Sequence, residues 1–166
     1  MSVRPIVLYP DRRLQQVAEP VVSFDAELAQ LAADLTDTMR AAPGIGITAP
    51  HVGVPLRVVV LQLSAAEAPL AYVNPVITWT SGETIRHVDG SVSMPGVNDE
   101  IERSRLVHVA YRDLDGKQCF EEADGLRAVC HQHEADQLDG IFWIYRLSPL
   151  KRERLVKKYR KLARRT

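Results

Sequence analysis

Apolar positions recur along this chain with two different periods. Between Asp25 and Arg40, Leu28, Leu31, Leu35 and Met39 fall three or four residues apart, which places them on one stripe of a helix. Ser23 or Asp25 caps that helix and Pro43-Gly44 ends it. The β-branched run from Leu56 to Leu63 predicts a buried strand. Leu70 to Val73 predicts a second strand, stopped at Asn74-Pro75, and Val76 to Thr80 and Thr84 to Val88 predict two more, joined through Ser81-Gly82. Leu106 to Arg112 alternates as a strand should, and Lys117 to Glu121 returns as its hairpin partner across Asp113–Gly116. Helical spacing resumes at Leu126, Val129, Cys130, His133 and Gln137, predicting a helix over about 124–139, capped by Asp124 and stopped by Gly140. Ser148-Pro149 opens a last helix, about 149–163, with Leu155, Tyr159 and Leu162 inward. The first 22 residues, broken by Pro5, Pro10 and Pro20, predict irregular chain, as does Asp89–Gly96. This order of elements predicts an α+β fold, with antiparallel strands wrapped around the central 124–139 helix.

Composition narrows the class. At 166 residues, with 46% hydrophobic and 25% charged residues, the chain is expected to form one soluble domain over residues 1–166. Its apolar runs are too short for a membrane span, and the stretch Ile6–Leu8 is too short for a signal peptide. Two cysteines make no disulfide framework, so a reducing cytoplasmic location is expected. The formal net charge is zero, yet residues 151–166 carry nine basic residues and one acid. Such a tail is either a nucleic-acid contact or a solvated helix face.

The candidate chemistry lies on the central helix. His133-Glu134 begins a His-Glu-x-x-His pattern, in which two histidines one turn apart hold zinc and the glutamate is the base, but the second histidine is replaced by Gln137. A second stretch, Gly44-Ile45-Gly46-Ile47-Thr48-Ala49-Pro50-His51, lacks the Lys-Ser/Thr of a phosphate loop and the third glycine of a dinucleotide site. By itself it predicts a tight turn before a strand. The third is Asp89-Gly90-Ser91-Val92-Ser93.

In order and spacing these stretches resemble the peptide deformylase family, whose motifs are Gly-x-Gly-x-Ala-Ala-x-Gln, Glu-Gly-Cys-Leu-Ser and Gln-His-Glu-x-Asp-His-Leu. Tyr9-Pro10-Asp11, Val73-Asn74-Pro75, Glu122–Leu126 and Leu147–Lys151 extend the resemblance over nearly the whole chain. It implies a deformylase-like fold and hydrolysis of the formyl group from the N-terminal formyl-methionine of new proteins. It also implies a divalent iron or zinc held by a cysteine and two histidines. The ligand positions are then Ser91, His133 and Gln137, two of them substituted, and the catalytic positions are Glu134, His51, Gly46 and Val92. Ile45, His87, Gly90, Leu126, Val129 and Cys130 would surround the methionine side chain. Arg103 would pair with Asp89.

A serine hydroxyl is a poor substitute for a thiolate, and a glutamine amide oxygen suits hard cations better than iron or zinc. His51, replacing the first motif's glutamine, is a possible replacement ligand beside His133. The expectation is therefore a metal held weakly or not at all, with weakened or altered hydrolysis. The alternative is a non-catalytic module that binds peptide N-termini or the ribosome, the latter through the basic last helix. Neither DNA nor a membrane is an expected partner.

Overall fold

The computed structural model describes residues 2–165; Met1 and Thr166 lie outside them. Its α-helices are α1 (Ala26–Ala41), α2 (Leu126–Leu138) and α3 (Pro149–Arg164), and its strands are β1 (Gly46–Thr48), β2 (Val58–Leu61), β3 (Leu70–Thr80), β4 (Thr84–Asp89), β5 (Asp99–Ser104), β6 (Leu106–Arg112) and β7 (Gln118–Asp124). A five-stranded sheet runs in the order β1-β2-β3-β6-β7, and β4-β5 make a separate two-stranded sheet. All these pairings are antiparallel. Helix α2 packs against both sheets, touching β1, β3, β6 and β7 of the larger and β5 of the smaller. The expected α+β architecture around a central helix is therefore the one observed.

The caps of α1 and α3 follow the sequence. Asp25 accepts a hydrogen bond from Leu28 N at 3.1 Å, and Ser148 accepts one from Lys151 N at 3.3 Å, so each satisfies an amide that has no partner within its helix. The apolar stripe of α1, from Leu28 to Met39, packs with Ile47, Val58, Val60 and Val73 of the sheet. Leu155 and Tyr159 of α3 join Phe142, Trp143 and Met94 in a second core cluster.

Several local expectations are corrected. Asn74-Pro75 does not stop a strand: β3 continues through it, with a register shift against β6 between Val73 and Val76. Proline is tolerated where an irregularity leaves its missing N–H unneeded. Asn74 takes a positive φ of 50°, and its side chain accepts from Val21 N at 2.8 Å and donates to Val21 O at 2.9 Å. The glycine-rich stretch contains a strand itself, β1, followed by a 3₁₀ turn over Ala49–Val52. Strand β4 pairs with β5 rather than with its predecessor. Asp124 does not cap α2. It ends β7, and Gly125, at φ 61°, occupies the cap position. Chain reversal there requires positive φ, which glycine adopts without steric penalty.

Helix α2 has few apolar side chains but is largely buried, including His131, Glu134 and Gln137. Buried polar groups need partners. Gln137 Nε2 donates to Leu14 O at 2.7 Å. Gln132 bridges to Ser104 N and O. His131 hydrogen-bonds Glu121, which also accepts from Tyr72 Oη at 2.8 Å. Glu134 stands apart from this pattern.

Candidate active site

Strand β1, the loop after β4 and one face of α2 enclose a cavity of about 370 Å³. Ile45, Gly46, His51, His87, Gly90, Ser91, Val92, Leu126, Val129, Cys130, His133 and Glu134 all line it. Of the residues singled out from sequence for a site, Gln137 alone is not among the lining residues. The rest of the lining comes from Ala42-Pro43-Gly44, Val88-Asp89 and Pro95-Gly96, of which Gly44 and Asp89 lie in the motif stretches and the others do not.

Glycine at position 46 is required by a close approach. A Cβ there would lie 2.9 Å from Leu61 Cδ2 and 3.5 Å from the Glu134 carboxyl carbon. Its absence lets the carboxylate sit against the β1 backbone. Glu134 is 4% exposed and its Oε2 has no hydrogen-bond partner among the described residues. Burial disfavours the charged form and pushes its pKa up to about 7, although His133 nearby works the other way.

His133 is held from both sides. Its Nδ1 lies 3.0 Å from Asp89 Oδ2 and its Nε2 lies 3.6 Å from Glu134 Oε1. Burial works to lower its pKa, but the Asp89 hydrogen bond and the Glu134 charge outweigh it, and the net shift is upward. Asp89 in turn accepts from Arg103 Nη2 at 2.9 Å and Nε at 3.2 Å, so the expected Asp89–Arg103 pair is formed. Burial alone would raise the Asp89 pKa; His133 and Arg103 hold it below the usual carboxylate value. Arg103 also donates to Asp136 at 3.2 Å, and Arg146 clamps Asp136 at 2.8 and 2.9 Å. Asp136 is the aspartate of the third motif, but its link to Arg146 carried no signal in sequence, because Arg146 comes from the turn after α2.

The donor set at the three ligand positions does not match a tightly held iron or zinc. Ser91 offers a neutral hydroxyl, which accepts from Ser93 N at 3.1 Å. Gln137 directs its amide nitrogen at Leu14 O, away from the cavity. Cys130 lines the cavity, but burial, with Glu134 and Asp89 adding to it, pushes its thiol up to about 12, so it supplies no thiolate near neutrality. His51 has its Nδ1 occupied by Thr48 N at 2.9 Å. Among the described residues, no group of three or more His, Cys, Asp or Glu is placed to share a metal ion, whereas a catalytic zinc needs three protein ligands and an open position.

Comparison with known proteins places this geometry in context. The family model described as polypeptide deformylase matches residues 3–153. A protein of Bradyrhizobium diazoefficiens called peptide deformylase-like is 66% identical over 164 residues, covering 99% of this chain and 96% of that protein. Brucella suis biovar 1 has two similar proteins under different names. One, called peptide deformylase-like, is 63% identical and covers 99% of this chain and 100% of its own length. The other, called peptide deformylase, is 45% identical and covers 98% and 95%. The crystal structure of a peptide deformylase from Legionella pneumophila superposes with a TM-score of 0.90 at 37% identity, covering 99% of both chains.

Proposed function

Because the chain belongs to the peptide deformylase family, we propose that it binds the formyl-methionyl end of a nascent peptide in the cavity beside α2, and that its hydrolysis of the formyl group is weak. The observation that carries this reading is the pair Gln137 and Glu134. Gln137 is turned to Leu14 O and outside the cavity, while Glu134 stays buried in it with an unpartnered Oε2. A polar pocket is retained while the groups that would hold a metal are not.

Binding follows from shape and edge. Strand β1 is an edge of the larger sheet and contributes Gly46 to the cavity wall, so an extended peptide can add to it through main-chain hydrogen bonds. Ile45, Leu126, Val129 and Cys130 offer an apolar surface to a methionine side chain, and His87 makes that surface more polar at one end. In the family a divalent metal supplies Lewis-acid activation of water when bound. The residues here do not fit that group, so what remains is Glu134 with His133. Glu134 takes a proton from an attacking water and returns it to the leaving nitrogen as the C–N bond breaks, releasing formate. Asp89 fixes the His133 ring beside it.

The test is metal analysis of the purified protein together with formate release from a formyl-Met peptide. The expected result is far less than one iron or zinc per chain and slow turnover. Ser91→Cys with Gln137→His and His51→Gln should raise both metal content and rate. Near-stoichiometric metal and rapid formate release in the unmodified protein would overturn the reading.

A second reading, binding without turnover, is favoured by two observations. Brucella suis carries a peptide deformylase beside its deformylase-like protein. Helix α3 also buries Leu155 and Tyr159 while Arg154, Lys157, Lys158, Arg160, Lys161 and Arg164 stay exposed. Docking of that basic face on ribosomal RNA would weaken steeply as salt rises, because phosphate contacts release counterions. Absence of co-sedimentation with ribosomes even at low salt counts against it.

A further inference from the structure

The cavity wall is apolar at Ile45, Leu126, Val129 and Cys130, but His87 stands at its edge. Strand alternation explains the position. Ile85, His87 and Asp89 are two residues apart on β4, so their side chains share one face, and Arg86 and Val88 point the other way.

Asp89 is the fixed neighbour of His87. Arg103 Nε and Nη2, at 3.2 and 2.9 Å, and His133 Nδ1, at 3.0 Å, all engage its Oδ2. Its other oxygen, Oδ1, lies 3.7 Å from His87 Nδ1. That separation is too long for a hydrogen bond but short enough for charge to act. Nδ1 is enclosed and has no hydrogen-bond partner among the described residues.

A neutral imidazole carries its proton on one nitrogen and a lone pair on the other. A lone pair on Nδ1 would face the carboxylate and be repelled, whereas a proton there is attracted to it. Asp89 therefore favours Nδ1–H and leaves the lone pair on Nε2. The His87 side chain is 36% exposed, and Nε2 is not enclosed as Nδ1 is, so Nε2 is the nitrogen a ligand can reach. The pocket thus combines an apolar wall with one hydrogen-bond acceptor. A methionine side chain brings no donor: it displaces water from the acceptor and puts nothing in its place. A glutamine side chain has nearly the same reach and ends in N–H donors. A wholly apolar pocket would disfavour that amide by roughly 5- to 150-fold; an acceptor placed to meet it offsets the penalty.

We propose that His87, oriented by Asp89, lets the cavity accept a second class of N-acylated peptide, one whose first residue carries an amide side chain of methionine's length, by accepting a hydrogen bond at Nε2. His87 is then a specificity-determining residue. The proposal rests on the reading that a formylated peptide end occupies this cavity, and it extends that reading beyond methionine.

Two measurements on the full chain test it. The first is calorimetric titration of the wild type and His87→Leu with formyl-Met-Ala and formyl-Gln-Ala. The wild type should bind the two peptides within about fivefold of each other, below the least penalty of an apolar pocket. In His87→Leu the preference for formyl-Met-Ala over formyl-Gln-Ala should rise by roughly three- to tenfold, the range of one net hydrogen bond. A larger discrimination against formyl-Gln-Ala in the wild type, or a ratio that His87→Leu leaves unchanged, overturns the proposal. The second is ¹⁵N NMR of the His87 ring at mildly alkaline pH, which decides the matter if His87→Leu does not fold. Protonated Nδ1 with unprotonated Nε2 is expected, and bound formyl-Gln-Ala should shift Nε2. The opposite tautomer, a doubly protonated ring, or an Nε2 unmoved by bound formyl-Gln-Ala overturns the proposal. Binding of formyl-Met-Ala alone overturns only the proposal and spares the peptide-binding reading; failure of both peptides to bind overturns that reading and the proposal with it.

Discussion

Replacing Glu134 by glutamine should stabilise this protein at alkaline pH and leave it nearly unchanged at acid pH. The carboxyl is buried, its Oε2 unpartnered, and its pKa stands at about 7 against an ordinary 4.5. Below 4.5 the group is protonated in the folded and unfolded chain alike. Between 4.5 and 7 the unfolded chain has released a proton that the folded chain retains, so stability falls as pH rises. Above 7 both are ionised and the loss is complete. His133 acts in the same direction: its folded pKa is raised, so its contribution is present at low pH and lost as pH rises through the folded value. The Glu134 shift corresponds to roughly 3 kcal/mol. Glutamine matches the protonated carboxyl in shape and carries no charge, so Glu134→Gln removes this loss. Urea unfolding at about pH 5 and about pH 8.5 measures it. With urea slopes of about 1–3 kcal/mol/M, the alkaline midpoint of the variant should exceed that of wild type by at least about 1 M. Equal differences at both pH values, or a less stable variant at the alkaline one, would refute a desolvated carboxyl at this position.

Gly140 has φ 77°, and a Cβ there would fall 2.5 Å from Gln15 O. Gly140→Ala should therefore lower stability by at least about 2 kcal/mol, since left-handed backbone alone costs an L-residue about 1–2 kcal/mol; thermal unfolding reads the change, and an unaltered Tm would contradict it. Arg103, with 5% of its side chain exposed, pairs with both Asp89 and Asp136. Arg103→Met should cost about 1–3 kcal/mol, because Asp89 loses two charged hydrogen bonds while it keeps His133, and Asp136 keeps Arg146, and the loss should shrink at low pH where Asp89 protonates. Cys130 should resist alkylation in the native protein at about pH 8, its thiol being held near 12 by burial first and nearby carboxylates second. Rapid labelling of Cys130 without unfolding would show that the cavity opens more than its packing allows.

The sequence determined whatever depends on neighbours a few residues away. The periodic leucines and local caps of α1 and α3 specified those helices, since Asp25 and Ser148 bond amides only three residues on. Motif order specified the family, and the cavity assembles twelve of the thirteen residues that the resemblance marked for a site. What only the tertiary structure decided depends on partners far along the chain. Strand β3 runs through Asn74-Pro75 because Asn74 bonds the backbone of Val21, 53 positions away. Gln137 faces away from the cavity because its amide meets Leu14 O, 123 positions away. The Asp89–Arg103–Asp136–Arg146 chain draws on β4, β5, α2 and the turn after α2, which only folding brings together. Glu134 shows the division most clearly. Its place as the candidate base was legible in the motif, but its pKa of about 7 was not, because desolvation depends on the β1 backbone at Gly46 lying against the carboxylate.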